Sequence, residues 1–429
     1  MMAKYLVMTL GTGRGVEHGL AQSIQTLNPD RIVFLASEES QQTLDRLAPL
    51  VPAFVDRFQP VHLVQNPDDV EQCAEDAKAA ILALVDQGVA LADIDVDFTS
   101  GTKAMTAGLS IAATALGVKR LVYVTGTRDR QTGRVLTGTE RVVSVYPMQL
   151  LIDEHRRQLK LLFNQYLFDR GLSLIERVIS SCMRPDIQQE FEFWRNLFAA
   201  YRAWDRFDHL RAHEHLSALP KPYVRALGLR LGPNKELLGR IRRKLQLLEA
   251  ARKRKVNMSA PKLLELKFSP ELLADLFANA DRRAEEGRYD DAVARLYRAT
   301  EFIAQLALAP YGLDTSNLRK SELPDTVYHL FPEVGRMQRV ISIGLDRSYR
   351  LIEALNDERA RLYLNNKRLR HLLKARNDSI NAHGTTPVTR RKFEELHREV
   401  VALADAFVPE LNKRRLREKA TFPRIEAIF

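Results

Sequence analysis

Strand signals end near residue 150 of this 429-residue chain, and helical periodicity follows to its end. Before that point, short β-branched runs alternate with helical patterns, which predicts a doubly wound, Rossmann-like α/β domain. After it, apolar residues recur every three or four positions, which predicts all-α structure. Because the chain is too long for one core, we predict three regions: an α/β domain at 1–148, a helical connecting region at 149–268 and a helical C-terminal domain at 269–429.

The predicted strands are short and uniformly apolar, as parallel strands buried on both faces are. They are Tyr5–Leu10, Arg31–Ala36, Val61–Val64, Ile94–Phe98 and Leu121–Val124, with helices between them at Val16–Leu27, Glu39–Leu47, Pro67–Gln87 and Ala104–Leu116. Residues 127–133 predict a hairpin loop before an antiparallel edge strand at Arg141–Val145. The later predicted helices are Leu150–Phe168, Leu172–Met183, Glu190–Trp204, Lys235–Arg254, Arg288–Gln305, Tyr349–Leu355, Arg359–Asn381 and Val388–Phe407.

The formal net charge of +11 is unevenly distributed. Residues 1–147 contain 13 Lys and Arg against 17 Asp and Glu, whereas the remaining residues contain 52 against 37. A basic C-terminal part favours a polyanionic partner, although basicity alone does not separate nucleic-acid binding from a solubility bias.

Cysteine usage and hydropathy indicate the compartment. Cys73 and Cys182 are the only cysteines and lie far apart, which favours a reducing cytosol over a disulfide framework. No apolar run is long enough for a membrane span, and the N-terminus enters a strand without a signal-peptide pattern. We therefore expect a cytoplasmic protein with no membrane partner.

Two loops follow strand ends at the edge where ligands of such sheets bind. The first, Gly11–Gly15, superficially resembles a dinucleotide fingerprint, but Val16 occupies the position of the third glycine. The second, Asp97–Met105, opens a helix, where it could meet an anion, although ordinary helix capping explains it about equally well. Its small and polar residues are Thr99, Ser100, Gly101, Thr102 and Lys103.

The middle region carries two weaker signals. His209 and His213 are four residues apart, as metal ligands can be, but no third ligand has an evident place, so we favour an exposed polar helix and predict no metal site. Arg240–Lys244 and Arg252–Lys255 belong to a basic amphipathic helix. A solvated face is the favoured interpretation, with binding of RNA phosphates as the alternative.

Arg376 and His383 lie near the end of the last long helical pattern but one. If the helix continues, their seven-residue spacing puts them on one face. His exchanges protons near neutral pH and Arg fits phosphate oxygens, while Asn377 adds a polar group beside them. Alone, the pair fits an exposed helix end better than a catalytic site.

The segment Asp97-Phe-Thr-Ser-Gly-Thr-Lys-Ala-Met105, after a first strand that leads into Thr9-Leu-Gly-Thr12, resembles the CARF domain, the Rossmann-like ligand sensor of type III CRISPR systems. In that family, these two loops from both subunits of a dimer bind a cyclic oligoadenylate. The resemblance covers roughly the first third of the chain. It implies the ligand-binding residues Gly11, Thr12, Gly13, Thr99, Ser100, Gly101, Thr102 and Lys103.

The segment Arg376-Asn-Asp-Ser-Ile-Asn-Ala-His383-Gly resembles the Arg–His signature of HEPN domains, metal-independent ribonucleases built as helical bundles. The segment Tyr289–Glu301 is similar to the helix that precedes this motif in CARF–HEPN proteins. The resemblance therefore implies an N-terminal CARF domain, a helical region and a C-terminal HEPN domain.

Together the two resemblances imply an endoribonuclease of type III CRISPR antiviral defence that uses no cofactor. Cyclic oligoadenylate activates it, with cyclic tetra-adenylate favoured over cyclic hexa-adenylate, and a homodimer cleaves single-stranded RNA at a composite site. The cleaved RNA is expected to carry 2′,3′-cyclic phosphate and 5′-hydroxyl ends. Arg376, Asn377 and His383 are the implied catalytic residues, and Thr99 or Thr102 is implied in slow cleavage of the activator.

Two functions of other classes remain open at this point. The protein could instead be a non-catalytic regulator that senses a ligand and binds nucleic acid with its basic helices. In that case it should retain nucleic acid without cleaving it. A nucleotide-dependent oxidoreductase that uses Gly11–Gly15 predicts NAD(P) binding and no effect of the substitution His383→Ala on activity.

Overall fold

The structure, a computed structural model, describes residues 4–128, 130, 135–136, 138–181, 184–319, 322–331, 340–377 and 385–427, with the backbone alone at 148, 326, 329 and 375–377. The chain divides into two compact units. The first unit is Met1–Arg157 with Ser173–Glu192, and the second is Gln158–Leu172 with Phe193–Phe429. The boundaries of the three regions expected from the sequence stay a prediction.

The first unit is built on a six-stranded sheet. Its strands are β1 (Tyr5–Thr9), β2 (Arg31–Ala36), β3 (His62–Leu63), β4 (Ile94–Asp97), β5 (Arg120–Thr125) and β6 (Arg141–Val145). The spatial order is β3-β2-β1-β4-β5-β6; the first five strands are parallel, and β6 pairs antiparallel with β5. The predicted Rossmann-like sheet and antiparallel edge are confirmed. The loop predicted at 127–133 lies partly outside the described residues.

Helices cover both faces of this sheet. They are α1 (Val16–Leu27), α2 (Thr43–Leu47), α3 (Val70–Asp86) and α4 (Lys103–Leu116). Leu6 and Met8 of β1 pack with residues of α1 in one core, whereas Val7 packs with residues of α3 and α4 in another. Because successive side chains of a strand point to opposite faces, burial on both sides accounts for the uniformly apolar strands.

Two helices of this unit begin later than predicted because side chains cap the backbone. Ser37 and Ser40 bond reciprocally to each other's amides at 2.8 and 3.2 Å, which closes a turn, and a short 3-10 segment then leads into α2. Asp69 accepts hydrogen bonds from the amides of Glu71 and Gln72 at 2.9 and 3.2 Å, so α3 starts at Val70. Both are local bonds that compete with the helical pattern.

Beyond β6, the regular elements of the described residues are helical apart from an isolated β-bridge between Leu318 and Ile341, which confirms the predicted all-α part. They are α5 (Pro147–Leu150), α6 (Ile152–Asn164), α7 (Phe168–Ser181), α8 (Pro185–Asp205), α9 (His209–Ala218), α10 (Lys221–Ala226), α11 (Gly232–Arg252), α12 (Ala260–Lys267), α13 (Pro270–Glu285), α14 (Tyr289–Leu308), α15 (Leu345–Ala354), α16 (Arg361–Leu364), α17 (Lys367–Asn377), α18 (Arg390–Phe407), α19 (Glu410–Lys413) and α20 (Leu416–Ala420). No described helix is both long and apolar enough to cross a membrane.

Two predicted helices end or break where the pattern gave no glycine or proline. The one predicted at Leu150–Phe168 ends at Asn164, because Tyr166 adopts a left-handed conformation with φ of 61°. The one predicted at Arg359–Asn381 is divided before α17. There the side chain of Asn366 accepts a hydrogen bond from the Leu369 amide at 2.9 Å and starts a new helix.

Aromatic side chains form much of the core of the second unit. Phe422, near the C-terminus, packs on Tyr201 and Trp204 with ring centroids 4.7 and 5.1 Å away. The Trp204 indole donates to the buried carboxylate of Asp275 at 3.0 Å. Around α14 pack α13, α15, α17 and α18, which makes α14 the central helix of the C-terminal bundle.

Candidate functional site

The two loops predicted to bind one ligand lie side by side in the structure. β1 and β4 are parallel neighbours, so the loops that follow them leave the sheet at the same edge. The Gly11 amide donates a hydrogen bond to the Ser100 hydroxyl at 2.8 Å, and the Thr9 hydroxyl donates to the Ser100 carbonyl. The strand order of the sheet also reverses between β1 and β4, and ligands of such folds usually bind where the strand order reverses.

Glycine is needed on both sides of this contact. A Cβ atom on Gly11 would lie 2.7 Å from the Gly101 nitrogen and 2.9 Å from the Ser100 Oγ, closer than real Cβ atoms approach such groups. Gly101 has φ of 120°, a conformation that residues with a side chain rarely adopt. The two loops therefore approach backbone to backbone.

The hydroxyls predicted to bind the ligand already have partners within the protein. Thr99 Oγ1 accepts a hydrogen bond from the Val124 amide at 2.8 Å, and Thr102 Oγ1 accepts one from the Met105 amide at 3.1 Å as the N-cap of α4. The Ser100 hydroxyl accepts the bond from the first loop. These groups shape the second loop, while their contact with a ligand, and activator cleavage by Thr99 or Thr102, stay predictions.

The exposed members of the predicted set are Thr12, Gly13 and Lys103. Lys103 is the first residue of α4, where the helix amides carry partial positive charge. A phosphate near this helix start would meet both the amides and an ammonium group. The arrangement suits an anion that lies across the two loops.

Asp97 forms a buried carboxylate beneath the second loop. Its Oδ1 accepts a hydrogen bond from the Thr99 amide at 2.6 Å, and the side chain is fully buried at the end of β4. Burial raises the pKa of Asp97, although the hydrogen bond from the Thr99 amide acts in the opposite direction. The carboxylate supports the loop from below rather than facing a ligand.

The structure adds two residues to this edge that the sequence did not single out. The Thr43 hydroxyl donates to the Gly11 carbonyl at 2.7 Å, and the Arg46 guanidinium donates to the Thr43 hydroxyl at 3.0 Å. Arg46 also pairs with Glu17 at 3.4 Å and keeps 40% of its side-chain surface exposed. A cation thus lies beside the first loop, 35 residues away in sequence from Gly11.

Arg376 and Asn377 are the last two residues of α17, and their side chains are not described; His383 lies outside the described residues. The helix is anchored by the buried residues Leu369, Leu372 and Leu373. It packs against α14 and α18. The spacing of the Arg and His side chains therefore stays a prediction.

The chain that follows the motif returns to the same central helix. The Val388 amide donates to both carboxylate oxygens of Asp290, in the first turn of α14, at 3.3 Å each. Thr389 then caps α18 by accepting a hydrogen bond from the Lys392 amide at 3.4 Å. The helix that leads into the motif and the chain at Val388 are consequently both held against α14.

Several histidines and basic residues of the middle region have structural partners. His209 is buried and lies 2.7 Å from the Asp275 carboxylate, so the predicted exposed polar helix is wrong at this residue. His215 contacts Asn196 at 3.1 Å, and Lys244 pairs with the buried carboxylate of Glu271 at 2.5 Å. Among the described residues there is no group of three or more potential metal ligands.

Two protein-family models match this chain. The Csm6 HEPN domain matches residues 263–406, and the Csm6 6H domain matches residues 151–248. Together they cover more than half of the chain, and the HEPN match includes Arg376, Asn377 and His383. No curated protein matches the chain.

Among solved structures, the chain is similar to Enterococcus italicus Csm6 bound to cyclic hexa-2′-fluoro-hexa-dAMP. The identity is 14% and the TM-score 0.54, over 98% of this chain and 99% of that chain, so this similarity shows the fold alone. Can2 from Sulfobacillus thermosulfidooxidans, in complex with cyclic tetra-adenylate, matches at 11% identity over 49% of this chain and 68% of that chain. Its TM-score of 0.25 is too low to indicate a shared fold. With the two family models, the shared fold shows that this chain belongs to the Csm6 family of type III CRISPR CARF–HEPN proteins.

Proposed function

We propose that this protein is a metal-independent endoribonuclease of type III CRISPR defence that is activated by cyclic oligoadenylate. The observation that carries the proposal is the HEPN match at 263–406, because it contains the complete motif from Arg376 to His383. The paired loops after β1 and β4 support the sensory part of the proposal. The substrate is single-stranded RNA, in agreement with the basic charge of residues 148–429.

In the proposed reaction, the 2′-hydroxyl of the RNA attacks the adjacent phosphorus and the 5′-oxygen leaves. His383 assists one of the proton transfers, a contribution of about a hundredfold or more. Arg376 stabilises the charge that develops on the phosphate oxygens, and Asn377 positions the phosphate. Because one chain supplies one Arg and one His, the proposed site is completed by a second copy of the chain in a homodimer. The products have 2′,3′-cyclic phosphate and 5′-hydroxyl ends.

The activator is proposed to lie across Gly11–Gly13 and Thr99–Lys103, between two copies of the first unit. Ligand binding there favours one arrangement of the dimer and so sets the distance between the two catalytic pairs. The solved protein that shares this fold is bound to a hexanucleotide ring analogue, which supports the ligand class. We favour cyclic tetra-adenylate because it is the more frequent activator in the family that the sequence resembles. The test therefore includes both cyclic tetra-adenylate and cyclic hexa-adenylate.

The test is cleavage of a fluorogenic single-stranded RNA in EDTA, with and without cyclic tri-, tetra- and hexa-adenylate. We expect one ring to stimulate the wild type and the substitutions Arg376→Ala and His383→Ala to reduce the rate at least about a hundredfold. His371→Ala, an exposed change earlier on α17, is the control and retains the rate. Absence of stimulated cleavage by the wild type, or full activity of both catalytic variants, would overturn the proposal.

A further inference from the structure

A basic cavity of about 360 Å³ lies against α17, two to six residues before Arg376. Its lining includes three cationic side chains, Arg347, Arg370 and Lys374, and the first turn of α15. Lys374 is two residues before Arg376, a rise of about 3 Å along the helix, but at about 100° per residue the two lie roughly 160° apart around the helix axis. The cavity therefore lies near the C-terminal end of α17, on a different face of the helix from Arg376.

The carboxylate in this cavity is already neutralised by arginines. Asp346 Oδ1 lies 3.3 Å from the guanidinium of Arg370, and its Oδ2 lies 2.9 Å from that of Arg350. Lys374 is exposed and has no ion-pair partner within the described part of the chain. The lining consequently keeps an excess of positive charge that an anion can satisfy.

Tyrosine hydroxyls add neutral donors to the same cavity. Tyr363 is stacked on Tyr349 with centroids 4.1 Å apart, which fixes its ring beside Asp346 and Arg370. Burial and the nearby Asp346 carboxylate raise the pKa of Tyr363 to about 12, so its hydroxyl keeps its proton at neutral pH. Cations with a fixed hydroxyl are groups that bind phosphate oxygens.

We infer that this cavity binds a backbone phosphate of the RNA substrate, apart from the phosphate that is cleaved. The inference rests on the proposed function and deepens it, because it assigns Lys374 and Arg370 to positioning the strand rather than to the reaction itself. Contacts with phosphate carry no base information, so this subsite contributes affinity and register without sequence preference. It also lets one helix both bind the RNA and present Arg376.

The test measures binding of a labelled, fully 2′-O-methylated single-stranded RNA to the full-length protein by fluorescence anisotropy over a range of salt concentrations. This RNA lacks the attacking hydroxyl and is not consumed. We expect Lys374→Gln and Arg370→Gln to weaken binding by about three- to fivefold each. For each lost phosphate contact, the slope of log affinity against log salt becomes shallower by about 0.7. Lys367→Gln, an exposed change on the same helix outside the cavity lining, is the control.

Cleavage of unmodified RNA separates this inference from the proposed function. If the wild type cleaves RNA but Lys374→Gln and Arg370→Gln match the control in affinity, salt slope and KM, the subsite is overturned and the ribonuclease proposal stands. If the wild type binds RNA with the expected loss in these variants but does not cleave it, the subsite stands and the ribonuclease proposal falls. Circular dichroism melting of Arg370→Gln checks that loss of its pair with Asp346 leaves the fold intact.

Discussion

The Gly11 amide and the Ser100 hydroxyl, 2.8 Å apart, join two loops that are 89 residues apart in the chain. This bond leaves little freedom in the shape of the candidate ligand edge, because Gly101 lies directly against Gly11. Any side chain added at Gly11 would separate the loops. A mutation at Gly11 is therefore a direct way to change the spacing of the two loops.

We expect the substitution Gly11→Ala to impair both folding of the first unit and response to the activator. The added Cβ would lie 2.7 Å from a backbone nitrogen, which must move, and overpacking of this kind costs about 1–3 kcal/mol in the free energy of unfolding. Chemical denaturation measures this cost. Gly232→Ala is the matched control, since its Cβ would meet no atom within 4 Å. Equal stability of the two variants would contradict the close approach.

Arg46→Gln tests whether the cation beside the first loop takes part in sensing. If its guanidinium meets a phosphate of the ring, loss of a charge-assisted hydrogen bond raises the activator concentration for half-maximal RNA cleavage by about tenfold. The rate at saturating activator should be unchanged. Arg31→Gln, at the amino end of β2 and hence the opposite edge of the sheet, is the control. An unchanged activation curve would exclude Arg46 from the ligand site.

The pattern of apolar residues predicted the strands and helices whose positions are determined by burial of those residues. The β-branched runs around Val7 and Val96 are buried on both faces, so their apolar sequences identified them as strands. The change from strand to helical patterns likewise indicated an α/β part followed by an all-α part. The sequence did not predict that Thr43 would bond to Gly11, with Arg46 bonded to Thr43 in turn, because the contact between Thr43 and Gly11 depends on how a short helix packs against a loop 32 residues away. The HEPN motif shows the converse: residue identity alone indicated it, since no spacing rule distinguishes it from a helix end.

Long-range pairing also explains the error at His209 and a contact of the basic helix that the sequence did not predict. The exposed helix predicted around His209 ignored Asp275, a carboxylate 66 residues later that takes the imidazole into the core. The basic helix predicted at Arg240–Lys244 likewise contains Lys244, whose partner Glu271 is 1% exposed on another helix. A local charge pattern cannot show which cation pairs with a buried acid that is distant in sequence.

Lys244→Met should therefore destabilise the protein rather than weaken RNA binding. The Glu271 carboxylate lies 2.5 Å from the Lys244 ammonium, and removal of one partner leaves a buried charge at a cost of about 3 kcal/mol. Lys253→Met removes the same group directly after the same helix, but its pair with Glu249 is exposed, so we expect no measurable loss. Denaturant unfolding at neutral pH compares the two. Similar midpoints would show that the buried pair adds no stability.

The last prediction concerns the pH dependence of stability at Asp97, beneath the second loop. Burial raises its pKa in the folded state, against a weaker opposing effect of the hydrogen bond from Thr99. For an acid, a raised folded pKa means that the folded state binds the proton more tightly than the unfolded state. The ionised carboxylate therefore destabilises the fold at neutral pH, and this cost disappears as pH falls through the raised pKa towards the unfolded value of about 3.9.

Asp97→Asn removes the ionisable group and keeps an acceptor for the Thr99 amide. We expect the variant to unfold at a higher temperature than the wild type at pH 7–8, with a difference that shrinks steadily on acidification. Asp56→Asn, the same change at an exposed position, should follow the wild type at every pH. Calorimetric melting between about pH 4 and pH 8 measures the three proteins. A gap that widens on acidification would mean that ionised Asp97 stabilises the loop, and its supporting role would then depend on charge rather than on shape.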